Sequence, residues 1–433
     1  MTGRLTWNRL YRATSYLKSA LWTVPIFSIA LVLLLAPLLR ELDEWQRWAL
    51  TDLGQEGAQA LFQTVITLTL SFMVFTFGSL LVAIQVAGGQ LTPRIIATLL
   101  LRDNVVRYSV GLFTFALMFA VMGLNRLDAS VHQGVVLLTA VLGIACIADF
   151  LFLIDYAARL LRPVSVVAAL GNDGIEVIRS VYPEDGGGLD ADSAPLRARL
   201  GPPGRVVRHV GRSEIVLAVE VAALTAQARQ HDGVIEFLPQ VGDFVAADEP
   251  LFALYGGAAA VDDAALRAAV AFGPERTLEQ DPIFAFRILV DIALKALSAA
   301  INDPTTAVLA MDQVHRLLRF VGRRHLRGEL VADASGEPRV ILRTPNWEDF
   351  VHVACTEIRA CGASSIQVVR RQRAMLANLL HVLPEYRHAA LRRELALLDR
   401  AIDGAFRTDE ERALARIPDA QGLGGSTRVP PQD

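Results

Sequence analysis

Polar side chains set at helical spacing inside an uncharged run are the first residues of this chain whose types could do chemistry. Thr64, Thr67, Ser71, Gly78, Gln85 and Gly88 follow one another at steps of 3, 4, 7, 7 and 3, which puts them along one face of a helix. A small and polar stripe in a long apolar helix has two readings. Small residues let a neighbouring helix approach closely and hydroxyls bond across the contact, or the stripe faces water and lines a path for an ion or small solute. Asp149 is the second candidate. It lies roughly 22 Å into an apolar run that starts at Gly134, about 8 Å from the far end. A carboxylate at that depth is costly unless it is paired, wetted or protonated, and such groups often carry function. Its structural alternatives are a pair with a loop arginine such as Arg94 or Arg102, or snorkelling to the near interface.

A third group lies far along the chain. Asp281-Pro282 and Asp303-Pro304 each set a capping acid before a proline at the first helical position. Arg276, Thr277, Asp281, Asn302 and Asp303 together could form a polar loop that binds an ion or small ligand, and caps alone would use the same residues. His352 and Cys355 share a helical spacing that could offer two metal ligands, short of the three or four that zinc takes. The phosphate-loop, dinucleotide, zinc-protease and serine-elbow patterns are absent from the sequence. No catalytic residue, metal or cofactor is therefore assigned, and an enzyme is the less favoured class.

The elements that must position these residues fall into two kinds. Mean hydropathy is +0.37, high for a soluble chain, and the apolar excess sits between Ala20 and Leu161. Runs at 20–39, 61–87, 105–124 and 134–154 are each long enough to cross a hydrocarbon core of about 30 Å, so about four transmembrane helices are expected in a domain over 19–162. Residues 1–18 mix Trp7, Leu10, Tyr11 and Tyr16 with Arg4, Arg9, Arg12 and Lys18, as an amphipathic interfacial helix would. A second interfacial helix is expected over 93–102. Arg94, Arg102, Arg107, Arg159 and Arg162 fall on the same side as the N-terminal basic residues. By the positive-inside rule that side is the cytoplasm, so both termini are expected there, in a multi-pass bacterial inner-membrane protein.

The remainder is expected to be a cytoplasmic α+β region. Residues 163–204 read as a helix and flexible linker. Residues 205–257 read as a small β barrel-like domain of the biotinyl-carrier type. That segment contains no lysine, which excludes a swinging-arm carrier. Residues 263–415 read as a mainly helical domain, with a hairpin turning at Ser335-Gly336, and 416–433 as a disordered tail. Cys146, Cys355 and Cys361 are an odd number without framework spacing, against structural disulfides. A net charge of −3 gives no reason to expect nucleic acid.

Three stretches, Ser71 to Arg94, His231 to Val245 and Arg276 to Ala307, resemble a bacterial family of predicted membrane proteins known as domain of unknown function 2254. They occur in the expected order over most of the chain. The chain has Ala299-Ala300 before Ile301, where the family pattern leads one to expect proline or glycine. The resemblance implies membrane helices followed by a soluble region, and no activity. A homo-oligomeric channel with a cytoplasmic regulatory domain is the leading functional expectation, with the lipid bilayer, further copies of the chain and an inorganic ion or small ligand as partners. A membrane-anchored sensory or scaffolding protein that binds a cytoplasmic partner is the alternative.

Overall fold

The structure is a computed structural model that describes residues 7, 8, 10, 11, 14, 20, 22–46, 53–90, 103–125, 127, 132–160, 162–182, 193–326 and 330–425. The expected interfacial helix at 93–102, most of 1–18, residues 183–192 of the linker and the last eight residues of the tail lie outside these. Two compact units emerge, one from residues 15–89 and 93–166, the other from 167–433 with segments 1–14 and 90–92.

The first unit is four helices: α1 (Thr23–Gln46), α2 (Gln55–Gln90), α3 (Asn104–Asn125) and α4 (Gln133–Leu160). Asp103 starts α3 by accepting the Val106 amide at 3.1 Å. Among the described residues three helices are long and apolar enough to cross a membrane, over Gln55–Val82, Asn104–Asn125 and Gln133–Arg159. The expected fourth span, α1, is not among them. Among the described residues the apolar part of α1 covers Thr23–Leu35, and the helix runs on through Pro37 to Gln46.

Glycines let these helices meet. A Cβ on Gly111 of α3 would stand 2.5 Å from Val24 of α1; one on Gly123 of α3 would meet the Phe62 ring of α2 at 2.7 Å; one on Gly143 of α4 would meet Val65 of α2 at 2.9 Å. Phe72, Met73 and Leu80 of α2 pack on the core of Val106, Val110, Phe113, Cys146 and Leu153. Phe72 also stacks on Phe150 with ring centroids 4.1 Å apart. α2 is thus held along one strip of large side chains.

In the second unit, α5 (Pro163–Val181) and α6 (Ala194–Leu200) precede the strands, so the expected linker carries a short helix. β1 (Arg205–Arg208), β5 (Pro250–Gly256), β3 (Gly233–Phe237), β8 (Pro338–Leu342) and β7 (Leu330–Ala332) form one sheet in that spatial order. β4 (Phe244–Val245), β2 (Glu214–Val219) and β6 (Val270–Gly273) form a second. Both sheets are open, which corrects the barrel-like expectation. β3 turns its second edge to β8, pairing Ile235 with Val340 in parallel, so residues 205–257 do not close on themselves and β1 and β7 remain edges. β3 is buried along its whole length, as a central strand covered on both faces is.

α7 (Val221–Gln230) and α8 (Asp263–Ala268) flank the strands. The helical part comprises α9 (Pro282–Ala296), α10 (Pro304–Val321), α11 (Trp347–Gly362), α12 (Ile366–Val382), α13 (His388–Ala405) and α14 (Asp409–Ala415). Phe286 of α9 and Phe350 of α11 meet at 5.3 Å in its core. From the N-terminal segment, Trp7 and Tyr11 pack against Leu217, Ala218 and Ala271 of the second sheet.

Residues 416–425 are not a free tail. Arg370, 1% exposed, donates from Nε to the Ile417 carbonyl at 3.0 Å and from Nη1 to the Gly424 carbonyl at 2.7 Å. Asp419 is fully buried and folds the segment by accepting the Gly424 and Gln421 amides. Arg370→Met should lower unfolding stability by about 2–3 kcal/mol, since two charge-assisted bonds to half-buried carbonyls are lost. Denaturant unfolding of the purified chain measures the loss, and limited proteolysis should then cut within 416–425.

Candidate functional site

The polar stripe of α2 is the first site to place. Thr64, Thr67, Ser71, Gly78 and Gln85 are all exposed in the single chain. At about 100° per residue they lie roughly opposite Phe62, Val65, Thr69 and Thr76, the residues that α2 buries. Gly88 is in the same helix, with surroundings outside the described residues. The hydroxyls turn back on their own helix: Thr64 donates to the Ala60 carbonyl at 2.7 Å, Thr67 to Gln63 at 2.9 Å and Ser71 to Thr67 at 2.8 Å. Gly78 stands in open space, with nothing within 4 Å of a Cβ built on it. The bundle therefore gives no packing reason for these small residues.

Asp149 lies on α4 toward α3, where Ser109 faces its carboxyl. Its Oδ2 is buried and takes no hydrogen bond among the described residues. The loop arginines considered as partners, Arg94 and Arg102, lie outside those residues. The stripe and Asp149 are on different helices and different faces.

The five residues expected to form one ligand loop are divided by the fold. Asp281 starts α9 and Asp303 follows its end, and fifteen helical residues span about 22 Å. At the far end, Asp303 accepts the Thr306 amide at 3.0 Å and the Thr306 hydroxyl at 2.5 Å. Those bonds, the hydroxyl first, hold its carboxyl below the usual range. Asn302 takes a left-handed φ of 47° and its amide reaches the Ser298 carbonyl at 2.8 Å. This turn needs neither proline nor glycine at 299–300. Asp303 is a helix cap with its oxygens engaged.

Asp281 differs. Its Oδ1 accepts the Phe284 amide at 3.1 Å, while Oδ2 is buried without a hydrogen bond. Arg276 stands 3.9 Å from Oδ2. Gly242, at φ 94°, leaves the carboxylate its room, since a Cβ there would come within 2.4 Å of Oδ2. Thr277 Oγ1 is also buried, with no hydrogen bond among the described residues. Near this segment a cleft of about 400 Å³ is lined by Gln240, Glu279, Gln280, Asp281, Arg343 and Thr344, among others. It opens beyond the carboxyl ends of the parallel strands β3 and β8, where open α/β sheets commonly take ligands. Asp281 Oδ2, buried against Gly242, is not presented to that cleft.

Two polar clusters carry no sequence signal of their kind. Glu236 on β3 is buried and accepts Arg197 of α6 at 2.8 Å and the Tyr255 hydroxyl at 2.7 Å; burial first, then Glu236, push that phenol up to about 12. Arg371 of α12 donates to Asp312 at 2.7 Å and to His315 Nδ1 at 3.1 Å. His315 must then donate from Nε2 to Asn378, 2.9 Å away, and burial beside Arg371 lowers its pKa. The His352–Cys355 pair is split: His352 is exposed and Cys355 is fully buried. No group of three or more His, Cys, Asp or Glu residues that could hold a metal occurs among the described residues.

The Asp281 carboxyl, pushed up to about 6 by burial with Asp243 adding and Arg276 opposing, has a definite pH signature. Its folded pKa exceeds the unfolded value, so the ionised form weakens the fold above pH 6 and the strain is relieved as pH falls toward 4. Asp281→Asn keeps a good N-cap. Relative to the parent it should be more stable by about 2–3 kcal/mol at pH 8 and lose that advantage by pH 4. Thermal unfolding of both proteins across this range checks the sign; an advantage that grows on acidification contradicts it.

The comparisons with known proteins agree with this layout. The chain is 25% identical to an uncharacterized protein of Mycobacterium bovis and to one of Mycobacterium tuberculosis, each match covering 98% of this chain and 85% of the relative. No solved structure matches. Residues 18–378 match the model of a family described as predicted membrane protein, a span that includes α1–α4, both sheets and most of α12. The chain belongs to that family, domain of unknown function 2254.

Proposed function

We propose that this membrane protein is a homo-oligomeric channel in which α2 of each copy turns its polar stripe toward a shared path. The observation that carries the reading is the direction of the stripe: it points away from the bundle of its own chain. Gly78 supports it. Glycine inside a helix costs about 1 kcal/mol relative to alanine, and in a single chain nothing approaches it to repay that cost. A second helix at close range would. The length of α2 also fits, because 36 residues make about 54 Å of helix, more than a bilayer core needs. In this reading α1 completes a set of four spans, the arginine-rich ends face the cytoplasm of a bacterial inner membrane, and the α+β unit regulates the path from there.

A membrane-anchored sensor is the second reading, favoured by the mixed polar and apolar cleft beside Gln280 and Arg343. Single cysteines separate the two. With Cys146, Cys355 and Cys361 replaced, cysteines at Thr64, Ser71 and Gly78 should cross-link copies in native membranes and react with a membrane-impermeant thiol reagent. Cysteines at the lipid-facing Phe27 and Leu34 of α1 should do neither. A chain that stays monomeric and unreactive at all three positions sinks the channel. Gly78→Leu supplies an independent check. It should abolish ion flux in liposomes without destabilising the single chain, whose helix gains up to about 1 kcal/mol when an uncrowded glycine is replaced.

A further inference from the structure

Between α2 and α4 lies a groove of about 190 Å³, walled chiefly by Phe75, Leu80, Val106, Phe150, Leu153 and Ile154. Ala157 and Ala158 of α4 also line it, small residues where larger ones would fill it. The hydroxyls on its wall are already engaged. Thr76 donates to the Phe72 carbonyl at 2.7 Å, Ser79 to the Thr76 carbonyl at 3.0 Å, and Tyr156 to Asp103. The surface offered to an occupant is accordingly apolar. Water is a poor occupant, since it needs two to four polar partners and apolar cavities stay dry. An empty groove would forfeit the dispersion contacts of its lining.

Its position selects the occupant. The lining residues of α4 fall in the last turns before Leu160, and Ile154 is about 9 Å from that end. The groove therefore sits in the outer part of the hydrocarbon layer, next to a headgroup region. Arg107 in the first turn of α3, Arg159 in the last turn of α4 and Arg162 just beyond belong to the end where Tyr156 of α4 donates to Asp103 of α3; Arg159 pairs there with Asp155, so the arginines outnumber the acids by one. Basic residues at that level attract anionic headgroups.

We propose that this groove holds one acyl chain of an anionic bilayer phospholipid, with the phosphate at the level of Arg107, Arg159 and Arg162. The lipid would wedge α2 against α4 where direct helix contact is sparse, and so set the stance of α2. The groove lies about 130° around α2 from the polar stripe, so a neighbouring copy docked on the stripe does not fill it. The proposal rests on the helices crossing a membrane and is independent of the channel reading.

The test reconstitutes the full chain in vesicles of phosphatidylglycerol and phosphatidylcholine, with a trace of phosphatidylglycerol bearing a photoreactive diazirine on its acyl chain. Adducts should concentrate on residues 75–80 and 150–158, with few on the more exposed Phe27 and Leu34 of α1. Phosphorus analysis after detergent exchange should find phospholipid retained on the purified chain. The double variant Ala157→Leu and Ala158→Leu should lose most of both signals. Adducts spread evenly over α1, α2 and α4, as bulk lipid would give, overturn the site. Unchanged lipid retention in the filled variant does so as well. If that variant does not fold, Ser79→Leu takes its place, and the adduct map of the parent chain decides alone. A phosphatidylcholine probe that labels the groove equally well overturns the headgroup assignment.

Discussion

Helices in a bilayer must satisfy their backbone groups internally, and they gain little from burying apolar surface on one another because the lipid is equally apolar. What then holds such helices together is fit. Here the fit depends on three glycines, Gly111, Gly123 and Gly143, each placed where a methyl group would collide with Val24, Phe62 or Val65. Two of these sockets receive side chains of α2. Phe62 and Val65, with Phe72, Met73 and Leu80 farther along, commit one side of that helix to the bundle. The rest of its circumference is left to lipid or to another protein surface. The direction of the polar stripe and the groove beside α4 both follow from that commitment.

The α+β unit depends on polar groups instead. Placing β3 between β5 and β8 buries Glu236, and a buried carboxylate is tolerable only when it is paired and hydrogen-bonded. Arg197 and Tyr255 supply this, which ties α6 to the sheet. Asp281 shows the same rule less completely met. Burial pushes its carboxyl up to about 6, because the capping bond uses one oxygen and Arg276, beyond hydrogen-bond distance of the other, offsets only part of the effect.

Local signals made much of this legible from residues alone. Uncharged length located α2, α3 and α4, and the Asp-Pro pairs marked the starts of α9 and α10, because each depends only on neighbours in the chain. What escaped depends on distant partners. The parallel pairing of β3 with β8 joins residues about a hundred positions apart, so the strands from 205 to 257 looked self-contained. The clasp on residues 416–425 rests on Arg370, which nothing in its helix distinguishes from the other arginines. Proximity in sequence also misled. Asp281 and Asp303 looked like one loop, but the helix between them carries them to opposite ends. For the stripe, spacing showed that the residues share a face, and only the packing of Phe62 and Val65 showed where that face points.

The stripe residues do not all argue equally for a partner. A threonine or serine in a membrane helix can return its proton to the carbonyl four residues back, as Thr64, Thr67 and Ser71 do, and is then at ease in lipid with no neighbour at all. Hydroxyls of this kind carry little information about assembly. Gly78 is different, because a glycine has no internal compensation: it weakens its helix, and it contributes only by what it allows to come near. Gly111, Gly123 and Gly143 each have a side chain filling the space they leave. Gly78, in the same membrane unit, has none among the described residues. The inference to a second helix therefore hangs on this residue more than on the polar groups around it.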